Sequence, residues 1–334
     1  MNPIILRSAE PERDFGQLAA WFSTLEDEPN TEPGLRAYYE KERERIVQRV
    51  AQDEQGELLG FYWILRDRSE SGRAYVYLFV KPDRRGQGLG RRLYEALLQD
   101  AERAGAKNLR VSVCDNCPED LAFAARRGFT ERRHLIGMAL DLDAFDDRPY
   151  DAIIARLAGA GFRFTSMAEL GNTPEAQHKL YILNDTAAAT TPGSDGEHSW
   201  ASFEDFQKGV CEADWYIPAG QMVVIDVATG AWAAMSAITR FEGKDHAYNL
   251  FTGVDMPYRG RKLGQAVKVL ALRYAREVLQ VTLVRTHHNT KNLPMIAIDR
   301  KLGYLQVPGA YLLEKTLDLD VIARTLTGRN GGDD

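Results

Sequence analysis

The chain has 334 residues, 44% of them hydrophobic and 27% charged, with a net charge of −6. That length suggests two domains, and the composition is that of an ordinary soluble globular protein. The acidic balance excludes nucleic acid as the obvious partner, because phosphate binding needs clustered Lys and Arg. No run approaches the ~20 apolar residues of a membrane span, and "MNPIILRSAEPERDF" lacks the apolar stretch of a signal peptide. Three cysteines cannot build a disulfide framework in a chain this long, which points to a reducing, cytoplasmic compartment. The tail "TGRNGGDD" is expected to fray.

In chain order, "IILRSA" reads as a short strand. "ERDFGQLAAWFSTL" and "GLRAYYEKERE" read as helices, with the charged run "EKERER" as a solvated helix face. Strands "RIVQRVAQ" and "LLGFYWILRD" flank a hairpin turn at "DEQGE", and "RAYVYLFV" is a fourth strand. Helix "GLGRRLYEALLQDAERAG" aligns Leu89, Leu93, Leu97 and Ala101 on one stripe, with Gly105 suited to its C-terminal cap. Then come strand "NLRVSVC", helix "EDLAFAARRG", and "FTERRHLIGMALDL" as a last strand pair. A joint is expected near Asp143 to Asp151, giving domains 1–145 and 146–334.

The second half repeats the series. After "FRFTSMAE" it has helices "PEAQHKLYILNDTAA" and "SFEDFQKGV", with a polar loop from Thr186 to Trp200. Strands "QMVVIDVAT", "AWAAMSAITRFE" and "AYNLFTGV" lead to helix "LGQAVKVLALRYAREVL". Strand "VTLVRTHHN", helix "LPMIAIDRKLG" and "YLQVPGAYLLEKTL" complete it. Two glycine-rich loops, "VKPDRRGQGLG" and "VDMPYRGRKLG", align without gaps: Arg85 with Arg259 and Gly90 with Gly264, an offset of 259 − 85 = 174. Downstream, Phe129 and Tyr304 close Gly-aromatic pairs at an offset of 304 − 129 = 175. That is an internal duplication.

A strand that ends in a glycine-rich turn and opens a helix is an anion site. Glycines let backbone N–H groups approach an oxyanion, and the helix start adds unsatisfied N–H groups. The plainer alternative is a helix cap with surface arginines. The dinucleotide fingerprint fails, because its third glycine would fall at Arg91, and no G-K-S/T follows for a P-loop. What stands is Arg-x-x-Gly-x-Gly, Arg85 to Gly90.

That pattern, with its flanking elements, resembles the acetyl-CoA pyrophosphate loop of the GNAT acyltransferase superfamily. The doubled series is similar to tandem members of the mycothiol synthase-like kind. The resemblance implies an α/β (α+β) chain of two GNAT folds, each a mixed, mostly antiparallel, splayed sheet flanked by helices. It implies acetyl-CoA as cofactor, held by Phe79, Val80, Arg85, Gly86, Gln87, Gly88, Leu89, Gly90 and Arg91. In the second copy the matching set is Val254, Arg259, Gly260, Arg261, Lys262, Leu263, Gly264 and Gln265, with Asn289 and Asn292 on the cofactor arm. Lys262 replaces the middle glycine, where it either obstructs the backbone or adds a contact to phosphate. Asn292 also suits an N-cap.

The resemblance further implies that the fourth and fifth strands part to admit pantetheine, and that an amine attacks the thioester directly. The acceptor is expected to be a small-molecule amine on a monomer or homodimer, with neither nucleic acid nor membrane as a partner. Relatives use a Tyr four residues before the Gly of Gly-aromatic as general acid. Here those positions hold Ala124 and Asp299. Asp299 acts only if its pKa is raised, and it otherwise reads as a hydrogen-bonding helix residue. The carboxylate that relatives place on the fourth strand is replaced by Tyr75 and Tyr77 in one copy and by Tyr248 and Asn249 in the other. His246 is a candidate base before the strand, with an exposed turn histidine as the alternative. Of His287 and His288, alternation puts only one on the cleft face. Tyr38 and Tyr39 either line an acceptor pocket or pack.

No metal site is expected: "CDNC", Cys114 to Cys117, has no second pair. The reading of the whole is an N-acyltransferase with unequal halves, chemistry in the second and tight CoA binding in the first. The missing Tyr in both copies motivates the alternative, a CoA-binding regulatory or scaffolding pseudoenzyme.

Overall fold

The computed structural model describes residues 3–26, 30–68, 70–194 and 200–317. The C-terminal tail expected to fray, and part of the expected polar loop, lie outside these residues. The first half runs β1 (Ile5–Arg7), α1 (Pro11–Glu26), α2 (Glu32–Glu42), β2 (Ile46–Gln52), β3 (Leu58–Arg66), β4 (Arg73–Val80), α3 (Leu89–Arg103), β5 (Asn108–Cys114), α4 (Pro118–Ala125) and β6 (Thr130–Asp141). The second half runs α5 (Asp151–Gly159), β7 (Phe162–Ser166), α6 (Pro174–Ala189), α7 (Phe203–Phe206), β8 (Gln221–Asp226), β9 (Trp232–Thr239), β10 (Ala247–Val254), α8 (Leu263–Glu277), β11 (Leu283–Asn289), α9 (Leu293–Leu302) and β12 (Leu305–Thr316).

Local chemistry sets these boundaries. Thr31, Thr173 and Asn292 each accept a bond from a first-turn N–H of α2, α6 and α9, with proline in the first turn, where its missing N–H costs nothing. The expected stripe of α3 is real: Leu89, Leu93, Leu97 and Ala101 are all buried against β-strand side chains such as Tyr62, Ile64 and Leu109. Gly105 follows the helix with a left-handed φ of 78°. The "EKERER" segment departs from expectation. Its Glu42 is buried and ion-paired to Arg45 and Arg68 rather than solvated.

The chain forms two compact units, but they do not divide at residue 145. One comprises residues 1–132 with 310–334, the other residues 133–309. The reason is that "FTERRHLIGMALDL" is one long strand, not a strand pair, and so is its counterpart β12. Each unit takes its sixth strand from the other half of the sequence. In unit 1, β12 pairs antiparallel with β5 from Ala310↔Cys114 to Thr316↔Asn108. In unit 2, β6 pairs antiparallel with β11 from Leu283↔Asp141 to Asn289↔Leu135. The strand orders are therefore equivalent: β1-β2-β3-β4-β5-β12 in unit 1 and β7-β8-β9-β10-β11-β6 in unit 2.

In both units every pairing is antiparallel except the one between the fourth and fifth strands, and that one is short. β4 and β5 pair over three rungs, Arg73↔Asn108 to Tyr75↔Arg110. β10 and β11 pair over two, Ala247↔Val284 and Tyr248↔Arg285. Beyond those rungs β4 runs on to Val80 and β10 to Val254 while staying bonded to β3 and β9. Each sheet thus splays where the resemblance expects it.

The exchanged strand is structural for unit 1. Leu313 and Leu317 join its core, and Glu314 accepts a 2.8 Å bond from the buried Arg110 guanidinium. Leaving such a buried charge unpaired costs about 3–5 kcal/mol. A fragment of residues 1–145 alone is therefore expected to show no cooperative urea transition, whereas the full chain shows one. A cooperative transition in the fragment would mean that β12 is dispensable to unit 1.

Candidate acetyl-transfer site

The two glycine loops share one backbone design. Gly86 and Gly260 have left-handed φ of 73° and 77°, and a Cβ at either would meet nothing within 4 Å. Gly88 and Lys262 are the N-caps of α3 and α8, both left-handed, at φ 87° and 67°. Neither makes a side-chain cap bond, and neither helix has an acid in its first turn. The helices α2, α6 and α9, by contrast, are capped by side chains. Open space, uncapped N–H groups and the positive end of a helix dipole fit an anion such as the CoA pyrophosphate. The third glycine has a different reason. A Cβ on Gly90 would press on Phe123 at 3.1 Å, and one on Gly264 on Val254 at 3.0 Å. It lets each helix lie close to its neighbours.

Lys262 takes up the strained left-handed conformation itself, at a cost on the order of 1–2 kcal/mol, and its side chain is exposed. The loop shape therefore survives the substitution. The remaining loop residues fall into place around it. Arg85 and Arg259 turn back to the carbonyls of Val80 and Val254, at 3.3 and 3.1 Å. Arg85 also meets Asp120 at 3.5 Å, and Arg259 donates to Thr190. Gln87 donates to the Asp83 carbonyl. Arg91 and Gln265 lie in the first turns of α3 and α8, and Arg261 stacks over Tyr258 at 5.4 Å. Leu89 and Leu263 are core residues. Phe79 is buried and stacked on Trp21 at 4.8 Å, so only its backbone is available to a ligand. Asn292 caps α9, and Asn289 reaches the Gly193 carbonyl at 3.3 Å.

Past the loops the units differ. The register shows an extra residue in β10. After the splay, Val80 and Val254 match at an offset of 254 − 80 = 174, both at the same rung of their neighbours. Before it, Tyr75 and Tyr248 match at 248 − 75 = 173, each on the last rung of the parallel ladder. The extra residue is Leu250, in a bulge between Asn249 and Phe251. β4 pairs with β3 without interruption. Bulges leave one residue out of the ladder and re-aim the chain, and they concentrate at active sites.

Unit 2 also gathers titratable groups at the splay. Tyr248, on the last rung, hydrogen-bonds His287 Nδ1. His287 is open to solvent, yet burial by surrounding protein, with His288 adding to the effect, lowers its pKa. Its imidazole is therefore neutral at physiological pH. Trp215, Phe241, Tyr248 and His287 follow one another at ring distances of 6.5, 6.3 and 5.8 Å. His288 points to the opposite face, as alternation requires. There its Nε2 bonds Asp299 Oδ2 at 2.6 Å.

Asp299 is fully buried and bonds Lys268 Nζ, also fully buried. Lys268 lies 4.7 Å from the centroid of the Tyr304 ring. Burial alone would raise the pKa of Asp299, but the Lys268 charge and the His288 bond outweigh it and hold the carboxyl below its usual value. The raised pKa that direct proton donation by Asp299 would need is absent. Burial lowers the pKa of Lys268 against the pull of Asp299.

His246 is not part of this group. It is buried just before β10, with Nδ1 on Asp245 at 2.9 Å. The register places it beyond Ala247↔Val284. His288 is four residues further along β11 from Val284, about 13 Å at 3.3 Å per residue. The two expected catalytic residues, His246 and Asp299, are thus not brought together. What sequence reasoning missed is Lys268 and the Tyr248–His287 bond. The available signal for Lys268 was its place four residues from both Gly264 and Leu272 on the buried stripe of α8.

Unit 1 has none of this. By the repeat offsets, His287, His288, Asp299 and Lys268 correspond to Ser112, Val113, Ala124 and Tyr94. Val113, Ala124 and Tyr94 belong to an apolar core. The face of β4 toward α1 is filled by rings: Trp21 also stacks on Phe61 at 6.0 Å, and Phe22 meets Tyr77 edge-on at 5.1 Å. Tyr39 packs edge-on against Phe15 at 5.2 Å as part of the same cluster, while Tyr38 is exposed. Cys114 and Cys117 form no disulfide. Among the described residues no group of three His, Cys, Asp or Glu could hold a metal ion, and no helix is long and apolar enough to cross a membrane.

Comparison with known proteins agrees with this geometry. Residues 15–129 match the model of the Acetyltransferase (GNAT) family. The mycothiol acetyltransferase of Acidothermus cellulolyticus is 30% identical over 242 residues, covering 68% of this chain and 67% of that one. That of Kineococcus radiotolerans is 29% identical over 229 residues, 68% of each. Two solved structures share the fold over the whole length. A tandem GNAT protein from the clavulanic acid biosynthesis pathway has a TM-score of 0.69 at 21% identity, covering 94% of this chain and 98% of its own. A GCN5-related N-acetyltransferase from Sphaerobacter thermophilus has a TM-score of 0.68 at 17% identity, covering 95% and 97%. The duplicated loops, the two splayed sheets and these relatives together establish that the chain belongs to the GNAT acetyltransferase family and is a tandem N-acetyltransferase.

Proposed function

We propose that the protein transfers an acetyl group from acetyl-CoA to a primary amine of a small molecule, by direct attack, and that unit 2 performs the chemistry. The observation that carries this assignment is the β10 bulge at the splay, with Tyr248 and His287 beside it and no equivalent in unit 1. The mycothiol acetyltransferase names of the relatives support a small-molecule acceptor. Unit 1 keeps a well-formed anion loop but packs its acceptor face with aromatic rings, which supports a role in binding CoA.

Acetyl-CoA, when bound, supplies an activated acyl carbon on a thioester. The chain's own residues do the rest. The loop from Gly260 to Gln265 would hold the pyrophosphate through backbone N–H groups. An alkylamine with a pKa near ~10 arrives protonated and must lose a proton. His287 is built to take it. Nδ1–H donates to the Tyr248 hydroxyl oxygen, which fixes the ring and leaves Nε2 free to accept, and the lowered pKa keeps the imidazole neutral. His246 has no part in this reading.

Two results test it. Gly260→Glu and Gly86→Glu carry the same conformational strain and put the same charge into equivalent loops. Release of free CoA thiol from acetyl-CoA with an amine panel is expected to be abolished by Gly260→Glu and to fall less than tenfold with Gly86→Glu. The reverse pattern would place the chemistry in unit 1.

The pH profile gives a second check. A base with a lowered pKa is still deprotonated somewhat below the ordinary histidine value of about 6.5. The acidic limb of kcat/KM is therefore expected below pH ~6.5. His287→Gln is expected to lose about 10²-fold or more in kcat. An acidic limb unchanged in position and height in His287→Gln would remove His287 from the reaction.

A further inference from the structure

The buried cluster on the other face of β11 is unused by the proton abstraction described above. Its arrangement is unusual for a core. Lys268 and Asp299 are both fully buried, on α8 and α9, and a buried ion pair alone is a poor source of stability. The pair does not end in the core. Asp299 spends one oxygen on Lys268 and the other on His288 Nε2 at 2.6 Å. His288 sits on β11, three residues past the last rung shared with β10, so it stands on the wall of the splay. Among the described residues, no protein group bonds its Nδ1, which is also not among the buried unpartnered atoms. One ring nitrogen is therefore anchored inward on a carboxylate and the other is open to solvent. That is how a carboxylate orients an imidazole for proton transfer.

We infer that His288 is the proton donor to the departing thiolate, with Asp299 and Lys268 as its positioning residues. The inference rests on the reading that unit 2 catalyses acetyl transfer. His287 Nε2 takes the ammonium proton and passes it to solvent; the neutral amine nitrogen then forms its bond to the acyl carbon and yields its second proton to His287 Nε2. The C–S bond breaks, its electron pair stays on sulfur, and His288 Nδ1 delivers one proton there. Solvent then returns His287 and His288 to their starting states. Two adjacent strand residues thus serve the two faces of one splay, one as base and one as acid. Asp299 occupies the position where relatives carry a tyrosine acid, but it reaches the site through a histidine. The groups around the ring are Asp299 on α9, Lys268 on α8, His287 on its own strand and, behind Lys268, Tyr304. Across β6 the facing residue is the apolar Ile136.

The test does not depend on knowing the acceptor. The thiol of CoA itself, bound to the full-length protein, is titrated by its thiolate absorbance in wild type, His288→Gln and Asp299→Asn. An imidazolium next to the sulfur favours the thiolate. The bound thiol is expected to ionise at least one pH unit lower in wild type than in His288→Gln, with Asp299→Asn in between. His288→Gln is also expected to lose at least 10²-fold in kcat with acetyl-CoA while the CoA affinity measured by calorimetry stays within about threefold, and added imidazole is expected to restore part of the rate in His288→Ala. Identical thiol titrations in the three proteins would overturn the assignment even if wild type acetylates amines. A wild type that binds CoA but consumes no acetyl-CoA with any amine would instead sink the parent reading of unit 2. If His288→Gln fails to melt cooperatively, the comparison of Asp299→Asn with wild type decides alone.

Discussion

Two rungs hold β10 to β11, and then the strands part. The site proposed in unit 2 depends on that short parallel ladder. A longer ladder would close the gap in the sheet. A shorter one would release Tyr248 from its fixed place beside Arg285. Parting leaves backbone groups on both strands without partners, and such groups must find other acceptors or donors. Antiparallel pairing to β9 on one side and to β6 on the other keeps both strands in place while the gap stays open. The exchanged strand β6 thus supports the proposed site, because it pairs with β11 on its outer side.

The duplicated chain serves as its own control. Both halves make the same loop, with left-handed residues at equivalent places and open space where a side chain would stand. Only one half adds a residue to the fourth strand and puts histidines and a buried carboxylate near it. In the other half the same positions carry Ser112, Val113, Ala124 and Tyr94, and the acceptor face is closed by Trp21, Phe22, Phe61 and Tyr77. Aromatic packing of this extent stabilises a core and leaves little room for a ligand. The proposed division of labour rests on this packing: one unit retains the glycine loop without the histidines and buried carboxylate, the other has both.

Much of this was legible in the sequence, for reasons that differ by feature. The loops were readable because glycine spacing between a strand and a helix is a local signal. The splayed, mostly antiparallel sheets were legible only through the family resemblance that the loops and the order of elements carry. The strand exchange was not readable. A run such as "FTERRHLIGMALDL" alternates in the same way whether it pairs with a neighbour in sequence or with a strand from the other half, because pattern carries no partner identity. The Leu250 bulge was visible in principle, as a change of offset from 173 to 174 along the repeat, but only once the rungs were known. The sequence makes Asp299 either a donor needing a raised pKa or a hydrogen-bonding helix residue, and its bonds to Lys268 and His288 are of the second kind. The Lys268 charge reverses the direction, and that charge comes from a helix turn 31 residues away in sequence.

The most direct measurement of the central claim is a crystal structure of the protein grown with CoA. CoA is expected in unit 2 with its pyrophosphate on the loop from Gly260 to Gln265, its thiol between β10 and β11, and the sulfur within hydrogen-bond reach of His288 Nδ1. CoA bound only at the loop from Gly86 to Arg91, with the β10–β11 gap closed or empty, would contradict it.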